Sequence, residues 1–324
     1  MNRYFKDTFN SWVFESRPFV FVIDFEKKNA LIYTPEQAYD KGLYYKINRQ
    51  TNFNFNDYQQ KLPKFSVFPV DYQVYKKSFD CVKKHLKKGN TYLLNLTMPS
   101  LIKTNLSLLE IFQQAVSPYK IYFKKQEFVG FSPETFVKII EDEISTFPMK
   151  GTIDASIPHA KKILLENKKE IFEHNTIVDL MRNDLSMVAT DIQVKRFRYV
   201  DYIKTNSKNL WQVSSEITGK LHKDWRKHNP VSIFDKLLPA GSISGAPKLK
   251  TLEIINQVES HKRGFYTGIY GYFDGKNFDT AVNIRYIENK KGHLYFRSGG
   301  GITALSDGRE EYNELIQKIY VPII

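Results

Sequence analysis

The chain has 324 residues, 42% apolar and 15% aromatic, enough for one large domain or two ordinary ones with a substantial core, which excludes global disorder. Its single cysteine, Cys81, excludes an internal disulfide and any four-cysteine metal site, as befits a reducing cytosol. The net charge of +13 fits a nucleic-acid surface or lysines filling solvated positions; the basic pairs are spread thinly and no run reaches five, which favours the second, and a positive field also suits a small anionic substrate.

Met1 to Asp7 is mixed polar, and the apolar run Phe19 to Ile23 is too short for a signal core or a membrane span, so a cytoplasmic protein that touches no membrane is expected. Ser11 to Tyr33 gathers apolar and aromatic residues into strand-like runs, and Gly42 to Asn56 reads as a further strand and loop. Asp71 to Lys88 predicts an amphipathic helix, with Tyr75, Phe79, Val82 and Leu86 on one face and Gly89-Asn90 as its stop. Cys81, beside Val82, reads as core. Thr91 to Thr97 is a strand, Leu106 to Ala115 a short helix, and Glu127 to Phe131 a strand running into Ser132-Pro133-Glu134-Thr135-Phe136, with Val137 to Ile140 another.

Glu143 to Phe147 is strand-like and leads to Pro148-Met149-Lys150-Gly151-Thr152, read as a tight turn that carries a lysine. His159 to Ala189 reads as mostly helical, with Glu166, Glu170 and Glu173 on one stripe. Gln193 to Lys220 is mixed, with a strand from Leu210 to Thr218. Pro239 to Lys248 reads as a long loop of small residues, followed by a helix from Leu249 to Val258. Tyr266 to Phe273 and Asp279 to Ile287 suggest a hairpin around Asp274-Gly275-Lys276. His293 to Ser298 is a strand leading into Gly299-Gly300-Gly301, and Glu310 to Tyr320 is the last helix. There are no repeats and no low-complexity linker. The irregular alternation predicts an α+β fold of layered, antiparallel-rich sheets flanked by helices, rather than a doubly wound sheet.

Four groups of residues have chemistry to offer, and each has a plainer reading. Glu311 and Glu314, spaced i, i+3 with Lys318 one turn on, suit a hard cation such as Mg²⁺, with Glu173 as a further ligand, or a solvated helix face. The glycine run can cradle an anion or simply turn the chain; no GxGxxG or GxxxxGK[ST] motif is present. Arg285 and Tyr266, read on neighbouring strands, suit a carboxylate or a surface salt bridge. Lys150 can be a nucleophile once it loses its proton, which burial or a nearby cation would favour, or a solvated cation; Glu134 is its candidate acid–base partner or a loop carboxylate.

Taken together, these segments resemble the chorismate-utilising enzymes. The resemblance is carried by Ser132-Pro133-Glu134-Thr135-Phe136, Met149-Lys150-Gly151-Thr152, Lys169-Glu170 through Glu173-His174, Val178 to Leu185, Pro239 to Lys248, Arg263-Gly264 to Tyr272, Ile284-Arg285, Gly299-Gly300-Gly301-Ile302 and Glu311-Tyr312-Asn313-Glu314, from about Asp71 onward. It implies an anthranilate synthase component I-like fold in a single catalytic domain over residues 1–324, with a shortened N-terminal portion over 1–70. Lysine before Gly-Thr resembles the aminodeoxychorismate synthase component I branch, whereas anthranilate synthases typically carry alanine. That implies attack of Lys150 on C2 of chorismate with loss of the C4 hydroxyl, then addition of ammonia at C4, towards p-aminobenzoate and folate. It further implies proton transfer by Glu134, Mg²⁺ held by Glu173, Glu311 and Glu314, and substrate contacts from Ser242, Tyr266, Arg285, Gly299, Gly301 and Lys318.

Water-adding members place a lysine where this chain has Leu93, which argues against isochorismate or salicylate synthesis. A histidine that many relatives carry is missing near Gln212, which weakens the anthranilate alternative. The N-terminal region has no clear counterpart of the tryptophan-binding segment. No glutaminase-like nucleophile is present, so a separate glutamine amidotransferase subunit is the expected ammonia source, and no fused lyase is expected after the last helix. No nucleic-acid partner is expected; a basic nucleic-acid-binding protein remains the alternative of another class.

Overall fold

The computed structural model describes residues 1–55, 60–203 and 209–323. Among these, two nine-stranded sheets form, and every strand pair within them is antiparallel. The first sheet runs Met149–Asp154, Leu210–Lys220, Glu143–Thr146, Thr135–Ile140, Phe278–Val282, Ile269–Phe273, Phe19–Ile23, Ala30–Tyr33, with Thr190–Ile203 also on Leu210–Lys220. The second runs Gly245–Ala246, Leu93–Thr104, His293–Ile302, Tyr286–Lys290, Phe128–Ser132, Tyr119–Phe123, Leu43–Ile47, Gln50–Thr51, with Phe65–Phe68 on Leu93–Thr104.

The sheets are held together by an apolar cluster that includes Val20, Val22, Tyr45, Ile121, Phe128 and Tyr270, all at most 1% exposed. The strand Phe19–Ile23 is buried at all five positions, as expected of a strand covered on both faces. Its other face meets the largest cluster, where Phe9 stacks on Phe278 while Phe19, Phe21 and Phe234 meet that ring edge to face. The layered α+β architecture predicted from the pattern is therefore the one found, and residues before 71 supply strands to both sheets.

The strongest periodic patterns land within a residue or two. The helix Tyr72–Lys87 buries Tyr75, Phe79, Val82 and Leu86, as the spacing predicts, and Cys81 packs partly buried against the same core. Five readings need correction. Arg3–Phe14 is a helix, capped by Asn2 and burying Phe5, Phe9 and Val13 at i, i+4 and i+8, where only mixed polarity and strand-like runs are read from sequence. The helical stretch after His159 breaks at Asn167, which caps the helix Lys168–Ser186 through its side chain; Glu166 is thereby separated from the stripe of Glu170 and Glu173.

The small-residue loop contains a short helix, Gly241–Ser244, and a two-residue strand, Gly245–Ala246. The glycine run does not follow a strand; it lies inside His293–Ile302, with Gly299 opposite Thr97 and Gly301 opposite Asn95. Finally, the second arm of the predicted hairpin is two strands. Phe278–Val282 belongs to the first sheet and Tyr286–Lys290 to the second, and the chain crosses between them at Asn283 to Arg285, with Arg285 at φ +51°. Asn56, the end of one sequence reading, and the stretch 204–208, within the mixed reading Gln193 to Lys220, lie outside the described residues.

Candidate active site

Lys150 sits in the strand Met149–Asp154, at the place where its register against Leu210–Lys220 slips between Met149 and Thr152. It is thus on a bulge in a strand, where a turn was predicted. Gly151 follows at φ +80°, and a Cβ there would come within 3.0 Å of both Glu170 Oε2 and Leu164 Cδ1. Only glycine meets both conditions without strain. The bulge aims the lysine off the sheet towards the helix Lys168–Ser186, where its Nζ donates to Glu173 Oε2 at 2.9 Å. Gln212, in the segment where the family histidine is missing, lies across from Thr152, next to this bulge.

The C-terminal helix, Gly308–Gln317, brings the second group of charges. Its N-cap, Asp307, accepts from the backbone of Arg309 and Glu310, and Glu311 and Glu314 then face the glycine strand. A Cβ on Gly300 would lie 3.6 Å from Glu311 Oε2, 3.8 Å from Lys318 Nζ and 4.0 Å from Glu314 Oε1. One on Gly301 would lie 3.9 Å from Lys150 Nζ and 3.1 Å from Leu93 Cδ1. Lys318 Nζ bonds Glu314 Oε1 at 2.7 Å and the Gly299 carbonyl at 3.0 Å. The bare glycine strand is therefore the floor on which Lys150, Lys318 and the two glutamates meet.

Glu134 enters from the start of the strand Thr135–Ile140, where Ser242 Oγ donates to its Oε1 at 2.7 Å. Ser242 is presented by the short helix Gly241–Ser244. Burial pushes the Glu134 carboxyl above the usual carboxylate range, and Ser242, Arg285, Lys150 and Lys318 only partly draw it back. A carboxyl held in this way keeps its proton to a higher pH than a solvated one. Arg285 reaches in from the crossing between the sheets, its guanidinium 5.2 Å from the Tyr320 ring. Its Nε is buried and finds no hydrogen-bond partner among the described residues, so it retains a donor for a ligand. Tyr266 lies in the turn after Gly264 rather than on a strand, 3% exposed, with burial pushing its hydroxyl up to about 12.

The charges do not relax Lys150 in the way burial alone would. Loss of water lowers its affinity for a proton, but Glu173, Glu314 and Glu170 outweigh that and the net direction is upward. The expectation of a lysine drawn down by burial is corrected on this point: the carboxylates around it hold the proton. Glu311, 3% exposed, is pushed up by burial, with Ser306 and Lys169 opposing and Glu314 and Glu173 adding to the rise. Among the described residues no three His, Cys, Asp or Glu side chains are gathered closely enough to hold a metal ion as they stand. Carboxylates are the donor type that a hard cation takes, and three of them, Glu173, Glu311 and Glu314, come from two helices here. These carboxylates repel one another, and the compensating charge is lent by Lys150, Lys169 and Lys318.

Two participants lie in the segment Lys169-Glu170 that carries the resemblance, but the sequence reading gives them no role in the site. Glu170 presses on Gly151 and on the Lys150 charge, and its own carboxyl is raised by burial and by Glu173. Lys169 sits 3.9 Å from Glu311 and 3.4 Å from Glu310. The Glu170–Glu173 spacing of i, i+3 is the signal that points to the first; for the second, the only signal is its place in the matching segment.

The model of the chorismate binding enzyme family matches residues 17–323. The chain belongs to that family. The match starts well before Asp71, in keeping with the N-terminal strands being integral to both sheets. An uncharacterized PabA-like protein of Pasteurella multocida is 51% identical over 310 residues, 95% of each chain. Another, of Haemophilus influenzae, is 50% identical over 323 residues, 99% of this chain and 97% of that one. Anthranilate synthase component 1 of Acetivibrio thermocellus is 32% identical over 251 residues, 73% of this chain but 49% of its own. In fold, the chain is similar to anthranilate synthase component I of Streptococcus pneumoniae (TM-score 0.67, 24% identity, covering 82% of this chain and 60% of that one). It is also similar to the menaquinone-specific isochorismate synthase of Escherichia coli (TM-score 0.71, 14% identity, 93% and 77%). No helix among the described residues is long and apolar enough to cross a membrane.

Proposed function

We propose that this chorismate-binding enzyme aminates its substrate, converting chorismate and ammonia to 4-amino-4-deoxychorismate and water through a covalent adduct on Lys150. The observation that carries the reading is the position of the Lys150 amine: it is near enough for its charge to act on Glu134 along with that of Arg285, it feels the acidic residues of two helices, and it is bonded to Glu173 at 2.9 Å. The Lys150 nitrogen bonds C2 of the ring as the C4–O bond breaks, and the Glu134 proton leaves with the hydroxyl as water. Ammonia then bonds C4, the C2–N bond to Lys150 breaks, and Glu134 takes back a proton from the incoming ammonium. One difficult substitution is thus divided into two easier ones.

Arg285, with its unspent donor, and Tyr266 would hold the enolpyruvyl carboxylate against the Gly299 and Gly301 backbone. Ser242 would orient Glu134, and Lys318 would balance the substrate's negative charge. Glu173, Glu311 and Glu314 would hold Mg²⁺. When bound, the ion neutralises these carboxylates, relieving the attraction that keeps Lys150 protonated, and anchors the ring carboxylate. Ammonia would come from a separate glutamine amidotransferase subunit, a role with which the PabA-like naming of two relatives is in keeping, and the product would serve p-aminobenzoate and folate synthesis in the cytoplasm.

The 32% identity to an anthranilate synthase component favours a second reading, anthranilate synthesis. Incubation with chorismate, Mg²⁺ and ammonia, followed by mass analysis, separates the two. Aminodeoxychorismate with no pyruvate is the expected result; anthranilate with pyruvate released would overturn the proposal. A salt-sensitive filter-binding titration with no turnover of chorismate would move the protein to the nucleic-acid class instead.

A further inference from the structure

We infer that the buried ion pair Arg263–Glu259 is a positioning device that sets the substrate-contacting atoms of the pocket while touching none of the substrate itself. The inference rests on the reading of the pocket given above. Both side chains are 1% exposed. Arg263 donates from Nε to Glu259 Oε2 at 2.9 Å and from Nη2 to Glu259 Oε1 at 2.7 Å, a bidentate fork. Its remaining donors go to main-chain carbonyls: Nη1 to Ile243 at 2.7 Å and Nη2 to Asn95 at 2.6 Å. Glu259 Oε1 in turn accepts from the Thr97 backbone N–H and from Thr97 Oγ1, both at 2.9 Å.

Each of these partners is the neighbour of a residue assigned to the substrate. Ile243 follows Ser242 on the short helix. Asn95 lies opposite Gly301 and Thr97 opposite Gly299 across the strand pair. Arg263 itself opens the turn that carries Tyr266, whose N–H bonds the Arg263 carbonyl at 3.2 Å. That turn is pinned again from outside, because Glu26 accepts from the backbone N–H of both Arg263 and Gly264. One ion pair therefore fixes the relative placement of four contacts supplied by three separate elements.

Stability alone is a poor reason for such a pair. A buried ion pair is commonly replaceable by apolar residues of the same volume with little loss. What an apolar pair cannot do is hold two carbonyls and a backbone N–H at hydrogen-bond distance, and displacing binding groups by about 1 Å costs on the order of a hundredfold in catalytic efficiency. By contrast, Glu173, Glu311 and Glu314 ride on helices that this pair does not bond.

The test is Arg263→Lys, which keeps the charge and loses the fork, with Thr97→Val as a milder variant that deletes one of Glu259's donors. The expected result is a rise of about tenfold or more in the KM for chorismate in Arg263→Lys, a smaller rise in Thr97→Val, and an unchanged half-saturating Mg²⁺ concentration in both. A merely destabilised protein would lose kcat in proportion to its folded fraction and keep its KM; that pattern, or a chorismate KM within twofold of the parent in a folded variant, would overturn the inference. Should Arg263→Lys fail to fold, Thr97→Val decides alone. If the parent neither binds nor turns over chorismate, the reading of the pocket fails separately, and crystal structures of parent and variant then decide. Movement of Ser242, Tyr266 or the glycine strand by more than about 0.5 Å supports the positioning role, and no movement removes it.

Discussion

Lys150 and Lys120 both lie on strands and both give up water, yet their surroundings drive them in opposite directions. Lys120, on Tyr119–Phe123, is 4% exposed; among the described residues its Nζ hydrogen-bonds only the Gln113 carbonyl, at 3.4 Å, and sits 4.2 Å and 5.2 Å from the Phe55 and Phe112 rings. No carboxylate among the described residues pairs with it, and burial, aided by Lys46, draws its amine down to about 7. Lys150 has Glu173, Glu314 and Glu170 about it and is held above the ordinary range. Burial by itself makes a free amine; burial among carboxylates stores an ammonium. On the proposed mechanism, the second kind can act as a nucleophile only once its negative neighbours' charge is removed.

The largest effect expected along this comparison comes from Lys150→Ala. Aminodeoxychorismate formation should fall by about a thousandfold or more with the circular dichroism spectrum unchanged, and undiminished turnover would remove the covalent route. Lys120→Met probes the other amine. Below pH 7 Lys120 is charged in both the folded and the unfolded chain, so the fold bears the whole cost of burying it. Above 7 the fold releases the proton while the unfolded chain keeps it until near ~10.4, so the parent should gain stability as pH rises through that window. Urea unfolding should show a gain of about 2.7 kcal/mol from pH 6 to pH 9 in the parent that is missing in Lys120→Met; equal slopes would mean the amine titrates elsewhere.

Glu314→Gln thins the carboxylates around Lys150 and should raise the half-saturating Mg²⁺ concentration about tenfold, a change of about 1.4 kcal/mol; superimposable metal titrations would count against the assignment. The smallest effect is expected of Gly151→Ala. The positive φ and the contacts to Glu170 and Leu164 predict a loss of about 1 kcal/mol in thermal or chemical unfolding, and a neutral outcome would mean that the bulge shifts to admit a methyl group.

Much of this was legible in the residues. The Glu311–Glu314 spacing on a helix, the amphipathic face of Tyr72–Lys87 and the layered α+β arrangement all follow from local periodicity. Lys318 meets Glu314 one turn away, as their spacing suggested, whereas Lys150 meets Glu173 and Ser242 meets Glu134 from segments that sequence spacing alone could not join. What escaped depends on distant partners. Arg285 sits where the chain leaves one sheet for the other, and no alternation pattern distinguishes that crossing from a continuous strand. The Arg3–Phe14 helix was hidden because the spacing of Phe5, Phe9 and Val13 competes with the aromatic run that follows. The direction of the Lys150 shift was beyond reach because it is a balance between burial and three carboxylates drawn from two helices.

Leu93 touches the space above Gly301, on whose other side lies the Lys150 nitrogen. An apolar branch there gives a stray solvent molecule nothing to hand a proton to, so hydration of the ring has no helper at that wall. In the proposed amination, selection of nitrogen over the abundant oxygen nucleophile would then require no gate, because the rival has no base at that wall to activate it.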